Sequence, residues 1–196
     1  MSKGSLFIIT GTSKGIGEAL VRQVLQKNPS LVIGIARTKS HVSHSNYRHV
    51  ICDLGRLENL ENRLDYILPD GEFNQIIMIN NAGIIGEITH LGKLSSQSIR
   101  QIFEINTIAP AILMNAFVKK YARLEEVKKI VVNISSGAAT KAIDGWAGYS
   151  ASKSALNMLT QTAQNEADLD RNGIRFFAVA PGVVDTAMQQ QIRNSS

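Results

Sequence analysis

Tyr149 and Lys153 stand four residues apart, and two neighbouring serines, Ser135 and Ser136, precede the tyrosine within NISSGAATKAIDGWAGYSASK (133–153). On a helix an i, i+4 pair shares one face, about one turn apart. A free phenol ionises near pH 10, so a tyrosine that trades protons at neutral pH needs help from its neighbours. An ammonium group beside it gives that help: bringing the phenol from about 10 to about 7 takes roughly 4 kcal/mol of differential stabilisation. A serine hydroxyl at the same point hydrogen-bonds the oxygen of a reacting carbonyl. The chemistry within reach is proton delivery to that oxygen, the companion of a hydride transfer. The same residues also suit a small-residue loop running into an ordinary helix, so their place in the fold decides.

Short, β-rich apolar runs occur at 6–10 (LFIIT), 31–36 (LVIGIA), 49–52 (HVIC), 75–79 (QIIMI), 129–134 (KIVVNI) and 174–180 (IRFFAVA). Continuous apolar strands of this kind are buried on both faces, the habit of a parallel sheet. Between them lie helix-length stretches at 15–27, 57–68, 98–123 and 147–170, and Pro110 predicts a break or fresh start early in the third. The alternation predicts a single-domain, Rossmann-type, doubly wound α/β fold with helices on both faces of the sheet. Tyr149 and Lys153 then follow the fifth strand, and both serines lie at its carboxyl end, the edge where open α/β sheets bind ligands. Either serine qualifies on proximity alone.

TGTSKGIG (10–17) follows the first strand and opens the first helix, with Gly11, Gly15 and Gly17 in a G-x-x-x-G-x-G spacing. Glycines let the backbone turn sharply against a pyrophosphate, and the helix start offers free N–H groups. At the end of the second strand, where an NAD-selective site would carry an acidic residue for the ribose 2′-hydroxyl, the chain has Ala36 and then Arg37. Arg37, with Lys14 as a second charge, suits a 2′-phosphate, so the expected cofactor is NADP(H). Asp53 in CDLG is placed to accept from an adenine amino group or to cap the following helix. In NNAG (80–83), Asn80 and Asn81 are placed to tie strand ends, while Ala82 and Gly83 let a ligand lie close to the backbone.

The 196 residues, 44% hydrophobic and 19% charged, suit one compact domain. The formal charge of +5 comes from lysines and arginines scattered singly or in pairs, so no nucleic-acid arm is expected. Cys52 is expected to be a buried strand thiol, and a lone cysteine excludes an internal disulfide and agrees with a reducing cytoplasm. The N-terminal apolar run is too short for a signal peptide or membrane span, so a cytoplasmic protein without a membrane partner is expected. His41 and His44 have a metal-like spacing but no acidic or cysteine partner nearby, so no metal site is expected. VKKYARLEEVKK (118–129) reads as a solvated face. Trp146 suits either a wall for an aromatic substrate or an anchor for the helix start, and Met188 reads as packing or lid material.

The motifs TGTSKGIG, CDL, NNAG, EINTIAP, NISS, YSASK and APGVVDT, in that order from Thr10 to Thr186, resemble the short-chain dehydrogenase/reductase family. Finer similarity in LFIITGTSKGIG, VVNISSGAA, GWAGYSASK and PGVVDTAMQQQIR is to the sepiapterin reductase-like branch, and to bacterial benzil reductases within it, which reduce one carbonyl of a vicinal dicarbonyl with NADPH. The family's catalytic serine precedes the tyrosine by about thirteen residues, and this interval selects Ser136 over Ser135. The resemblance implies Tyr149 as general acid, Ser136 polarising the carbonyl, Lys153 tuning Tyr149 and holding the nicotinamide ribose, and Asn106 positioning a relay water.

It also implies cofactor contacts from Ser13, Ile16 and Leu54, and from Pro181, Gly182, Val184 and Thr186 at the nicotinamide end. Gly137 and Trp146 would join Ser136 and Tyr149 against the substrate. A homodimer or homotetramer is implied. Family members continue past this point with a substrate-covering helix and a seventh strand, so the sequence is expected to cover its protein incompletely. A non-catalytic NADP-binding sensor or partner-binding protein on the same fold is the alternative, but it would have little use for Ser136, Tyr149, Lys153 and Asn106 together.

Overall fold

The structure is a computed structural model describing residues 4–27, 31–182, 184 and 187–193. Its centre is a six-stranded, wholly parallel sheet: β1 (Gly4–Thr10), β2 (Leu31–Ala36), β3 (Tyr47–Ile51), β4 (Phe73–Asn80), β5 (Lys128–Ile134) and β6 (Ile174–Val179). The order is β3-β2-β1-β4-β5-β6, so the chain winds outward to β3, returns to the middle, and winds the other way. The reversal opens a crevice between the carboxyl ends of β1 and β4, the usual ligand position in such sheets.

Strand alternation splits the core between the two faces. Leu6, Ile8, Ile33 and Ile35 pack with Leu113 and Phe117 of α5 (Ala109–Tyr121) and Ala167 of α6 (Ala147–Leu169). On the other face Ile9 and Val32 pack with Val21 and Leu25 of α1 (Gly15–Leu25). Each such fully buried side chain contributes roughly 1.5–3 kcal/mol of burial free energy. In α6 the buried residues Tyr149, Ser152, Lys153, Leu156 and Thr160 fall on one helical stripe, so both chemical side chains point into the domain.

Three predicted elements differ in detail. The stretch 57–68 is two short helices, α2 (Leu57–Glu61) and α3 (Leu64–Ile67), joined by a tight turn in which Arg63 N–H donates to Leu60 O at 3.0 Å. Leu60 and Ile67 stay buried across that turn. The long third helix makes its fresh start at Pro110 without a gap: α4 (Ser96–Phe103) passes through a π-turn (Glu104–Ile108) into α5, which carries the proline in its first turn. The wider turn lies just ahead of Pro110, a residue that has no N–H to give to the carbonyl four residues back. A further helix, α7 (Ala187–Arg193), is absent from the predicted set.

The run Ser96–Tyr121 is long and apolar enough to cross a membrane, with a mean hydropathy of 1.3, but half of it is buried within the domain as a core helix. The reading of 118–129 as a solvated face is corrected at Lys129, which is buried and donates to the carbonyls of Ala122, Leu124 and Asn172 at 3.0, 2.7 and 2.7 Å. Tyr121, also in that run, is buried and donates to Pro69 O at 2.9 Å. The loops after α5 and α6 both turn at the start of β5, and their carbonyls need donors once they are out of water.

Candidate active site

At the end of β1, Gly11 takes a positive φ of +74°, and the chain turns directly into α1. A Cβ on Gly17 would lie 2.2 Å from Gly11 O, so the loop and the first turn of the helix pack backbone against backbone. No side chain caps the start of α1. Its first N–H groups and the helix dipole therefore suit an anionic ligand. Ser13 and Ile16 flank this turn half-buried, and Lys14 and Gly15 are exposed on it.

The two asparagines of NNAG both donate to the protein, while the buried Asn80 Oδ1 has no partner among the described residues. Asn81 donates through Nδ2 to Thr10 O and through N–H to Thr10 Oγ1, both at 2.9 Å, and Ala82 N–H joins it on Thr10 Oγ1. Asn80 donates to Asn133 Oδ1 at 2.8 Å across the register pair that joins β4 to β5. Gly83 has no room for a side chain: a Cβ there would lie 3.3 Å from Asn106 Oδ1 and 3.4 Å from Lys153 Nζ, so the backbone comes close to both polar groups.

Tyr149 is buried, and that burial raises its phenol above the ordinary value, while the Ser136 hydroxyl beside it works in the opposite direction. Lys153 is 4% exposed, and burial pulls its ammonium down to about 8. Its Nζ donates to Ile134 O at 2.7 Å, which leaves further N–H groups of the ammonium as donors, and it lies 6.0 Å from the centroid of the Tyr149 ring. Burial is the larger influence on the Tyr149 phenol and raises it, with the Ser136 hydroxyl opposing.

The two serines separate cleanly. Ser135 turns inward, its N–H donating to Val179 O at 2.8 Å and its hydroxyl to Asn157 Oδ1 at 2.6 Å. Ser136 faces the phenol and accepts from Ala138 N–H at 3.2 Å at the head of a 3₁₀ turn (Gly137–Thr140).

Asn106 sits fully buried on the π-turn. Its side chain clamps the segment after β4, accepting from Ile84 N–H and donating to Ile84 O, both at 2.9 Å, and it donates to Ser152 Oγ at 3.0 Å. The side-chain N–H groups are thus committed to protein. The main-chain carbonyl of Asn106 lacks its α-helical donor, because the residue four ahead is Pro110.

An apolar wall surrounds the phenol. Ile85, Ala138 and Tyr149 are buried together, with Ile88, Trp146, Met188 and Ile192 packed against them. Trp146 meets Tyr149 edge to face, with centroids 5.6 Å apart, and also stands at the cap position of α6. A Cβ on Gly137 would meet nothing within 4 Å. Gly137→Val is therefore expected to leave the unfolding free energy within about 0.5 kcal/mol, measured by urea denaturation. If that open space admits substrate, the same variant raises KM for bulky ketones several-fold.

At the adenosine end, Asp53 does not cap α2: its Oδ1 accepts from Gly55 N–H at 3.0 Å, and Arg56 occupies the cap position. Leu54 belongs to the core, so only its main chain is offered to a ligand. Arg37 is exposed at the end of β2, and Cys52 is buried, with its thiol pushed up chiefly by that burial. Pro181, Gly182 and Val184 are exposed after β6, and Thr186 lies outside the described residues. Among the described residues no three His, Cys, Asp or Glu side chains gather as metal ligands.

Several supporting groups have no motif to betray them. Asn133 donates to Thr160 Oγ1 at 2.8 Å, Thr160 to Leu156 O at 2.6 Å, and Thr107 to Ser152 O at 3.0 Å, joining β5, α6 and the π-turn beneath the site. Buried Asn and Thr residues inside apolar periodic runs were the available signal.

The residues present fit a nicotinamide dinucleotide. The uncapped helix start would receive a pyrophosphate, and Lys153 would offer its remaining N–H groups beside Gly83. A family model described as short chain dehydrogenase matches residues 5–196. Benzil reductase ((S)-benzoin forming) of Bacillus subtilis (strain 168) is 38% identical over 97% of the chain and 79% of the relative, and that of Bacillus cereus is 36% identical over 96% and 79%. Sepiapterin reductase of Xenopus laevis is 25% identical over 94% of the chain and 75% of the relative. A short-chain dehydrogenase/reductase from Burkholderia vietnamiensis superposes with a TM-score of 0.82 at 28% identity, covering 98% of this chain and 91% of that one. A 4-hydroxyisoleucine dehydrogenase complexed with NADH gives 0.83 at 28% identity, covering 98% and 79%.

Proposed function

The chain belongs to the short-chain dehydrogenase/reductase family, and from that premise we propose that it is an NADPH-dependent carbonyl reductase acting on ketones, with vicinal diketones such as benzil as the leading substrate class. A single observation carries the reading: the buried Tyr149 phenol stands beside Ser136, with the buried Lys153 ammonium 6.0 Å from its ring, at the carboxyl edge of the sheet. When bound, the reduced nicotinamide supplies the hydride.

Tyr149 donates its proton to the oxygen of the carbonyl being reduced, and Ser136 hydrogen-bonds the same oxygen as charge develops on it. Lys153 takes the ribose hydroxyls with its remaining N–H groups beside Gly83. Asn106 holds the segment after β4 in place with its side chain, leaving its main-chain carbonyl for a relay water. The apolar wall of Ile85, Ile88 and Trp146 favours a substrate with aromatic or bulky apolar substituents and excludes water from the reacting oxygen. Arg37, at the end of β2 without an acidic neighbour in sequence, supports NADPH over NADH.

The test is oxidation of NADPH, followed at its absorbance band, by full-length protein against benzil, other diketones, sepiapterin and simple aldehydes. Turnover of diketones, faster with NADPH than with NADH, is the expected result. Silence across the panel with tight NADPH binding intact would overturn the reading in favour of a sensor.

A further inference from the structure

We propose that Arg56 and Arg63 join Arg37 in a three-guanidinium receptor for a phosphate monoester on the adenosine ribose of the cofactor; the inference rests on the reading of that cofactor as NADP(H). At the outer edge of the sheet a cavity of about 280 Å³ opens between the carboxyl ends of β2 and β3 and the segment leading into α2 and α3. Arg37, Cys52, Asp53, Arg56, Asn59 and Arg63 line it. That volume holds far more than a single water, whose share is about 30 Å³.

The charge balance is one-sided. Three guanidinium groups face one carboxylate, and that carboxylate is already bonded through Oδ1 to Gly55 N–H. Among the described residues none of the three arginines makes an ion pair or side-chain hydrogen bond, whereas Arg22, Arg48 and Arg175 are engaged with Glu18, Tyr66 O and Asp168. Unpaired like charges around one cavity repel, and an anion between them relieves that cost. A phosphate monoester carries close to two negative charges at neutral pH and three acceptor oxygens, a match for forked guanidinium donors.

The stems of these side chains are held. Arg56 N–H donates to Asp53 O at 3.0 Å, so the turn after β3 fixes where its side chain begins. Arg63 starts α3, with its carbonyl accepting from Tyr66 and Ile67 N–H at 3.0 Å. The Arg63 charge also reaches the cavity floor, where it opposes the upward push that burial gives the Cys52 thiol. The turn after Arg37 is tied to β3 by His49, whose Nε2 lies 2.9 Å from Thr38 O. A carbonyl only accepts, so Nε2 carries a proton, and Nδ1 lies 3.0 Å from the Tyr47 hydroxyl. The pyrophosphate has its own place at the start of α1, so the anion left for this cavity is one projecting from the ribose.

The experiment measures binding by calorimetry of adenosine 2′,5′-bisphosphate, adenosine 3′,5′-bisphosphate, 5′-ADP and inorganic phosphate to the wild type, R56A and R63A. The wild type is expected to bind the 2′,5′-bisphosphate most tightly. Each variant should weaken that binding by about tenfold, the low end for a charge-assisted hydrogen bond because both arginines are solvent-exposed, and leave 5′-ADP within about twofold. Equal weakening of both ligands would overturn the proposal, because the arginines would then be reading the adenine. So would equal competition by inorganic phosphate or the 3′,5′-bisphosphate. A wild type that prefers the 2′,5′-bisphosphate, with variants that keep that preference in full, sinks the receptor and leaves NADP(H) standing. A wild type without the preference sinks the cofactor reading itself.

Discussion

Tyr149→Phe is expected to lower the rate of carbonyl reduction by about 100- to 10,000-fold, the usual contribution of a positioned general acid, while NADPH binding stays within a few-fold of the wild type. The phenol sits against Ile85, Ala138 and Trp146, and all of that packing survives in phenylalanine. Only the hydroxyl is lost, together with its interaction with Ser136. Unfolding free energy should therefore change by no more than about 1 kcal/mol. Single-turnover reduction and cofactor fluorescence titration, run side by side, separate the two effects. Turnover at the wild-type rate would remove Tyr149 from the chemistry. The phenol ordinarily ionises near 10 and burial raises it further, so its own ionisation should not limit reduction near neutral pH.

Lys153→Met is expected to abolish most activity and yet stabilise the fold at neutral pH. Burial lowers the folded-state value of this ammonium from 10.5 to about 8. Below about 8 the group is charged in both folded and unfolded chains, so the full cost of burying the charge, about 3 kcal/mol, is present there. Between about 8 and 10.5 the unfolded chain binds more protons than the folded one, so wild-type stability from this group rises with pH across that window.

Methionine fills similar space without the charge, although it leaves Ile134 O without its donor. The net gain should therefore be about 1–2 kcal/mol at pH 7, and the rise between pH 8 and 10.5 should flatten. Urea denaturation across that range checks both statements. A variant less stable than the wild type at pH 7, with the pH dependence unchanged, would show that the buried charge costs the fold nothing.

The long elements were legible because each obeys one period. Leu6 to Thr10 and Leu31 to Ala36 are continuous apolar runs, and both are strands of the parallel sheet. Tyr149 and Lys153 were legible as a pair because i and i+4 share a helix face whatever surrounds them. The split between α2 and α3 was not, since Leu57, Leu60, Leu64 and Ile67 keep a helical spacing across a turn that only packing reveals. Nor was the π-turn, because Pro110 announces a missing N–H without saying on which side of it the helix will widen.

Side-chain duties divide in the same way. Ser135 and Ser136 are chemically identical and adjacent, and alternation along an extended segment sends one to Asn157 and the other to the phenol. Lys129 carries the same charge as its neighbour Lys128, yet one is buried against three carbonyls and the other is exposed.

The sequence by itself determined the parallel α/β fold, the glycine turn that opens α1 and the pairing of Tyr149 with Lys153, because period, glycine spacing and helix geometry are local properties. Only the tertiary structure decided that burial would raise the Tyr149 phenol and draw Lys153 down to about 8, and that Asn106 would spend its side chain on Ile84 and Ser152. It alone brings Arg56 and Arg63 into one cavity with Arg37. Desolvation and the convergence of distant segments depend on what packs around a group, and the order of residues along a chain does not carry that information.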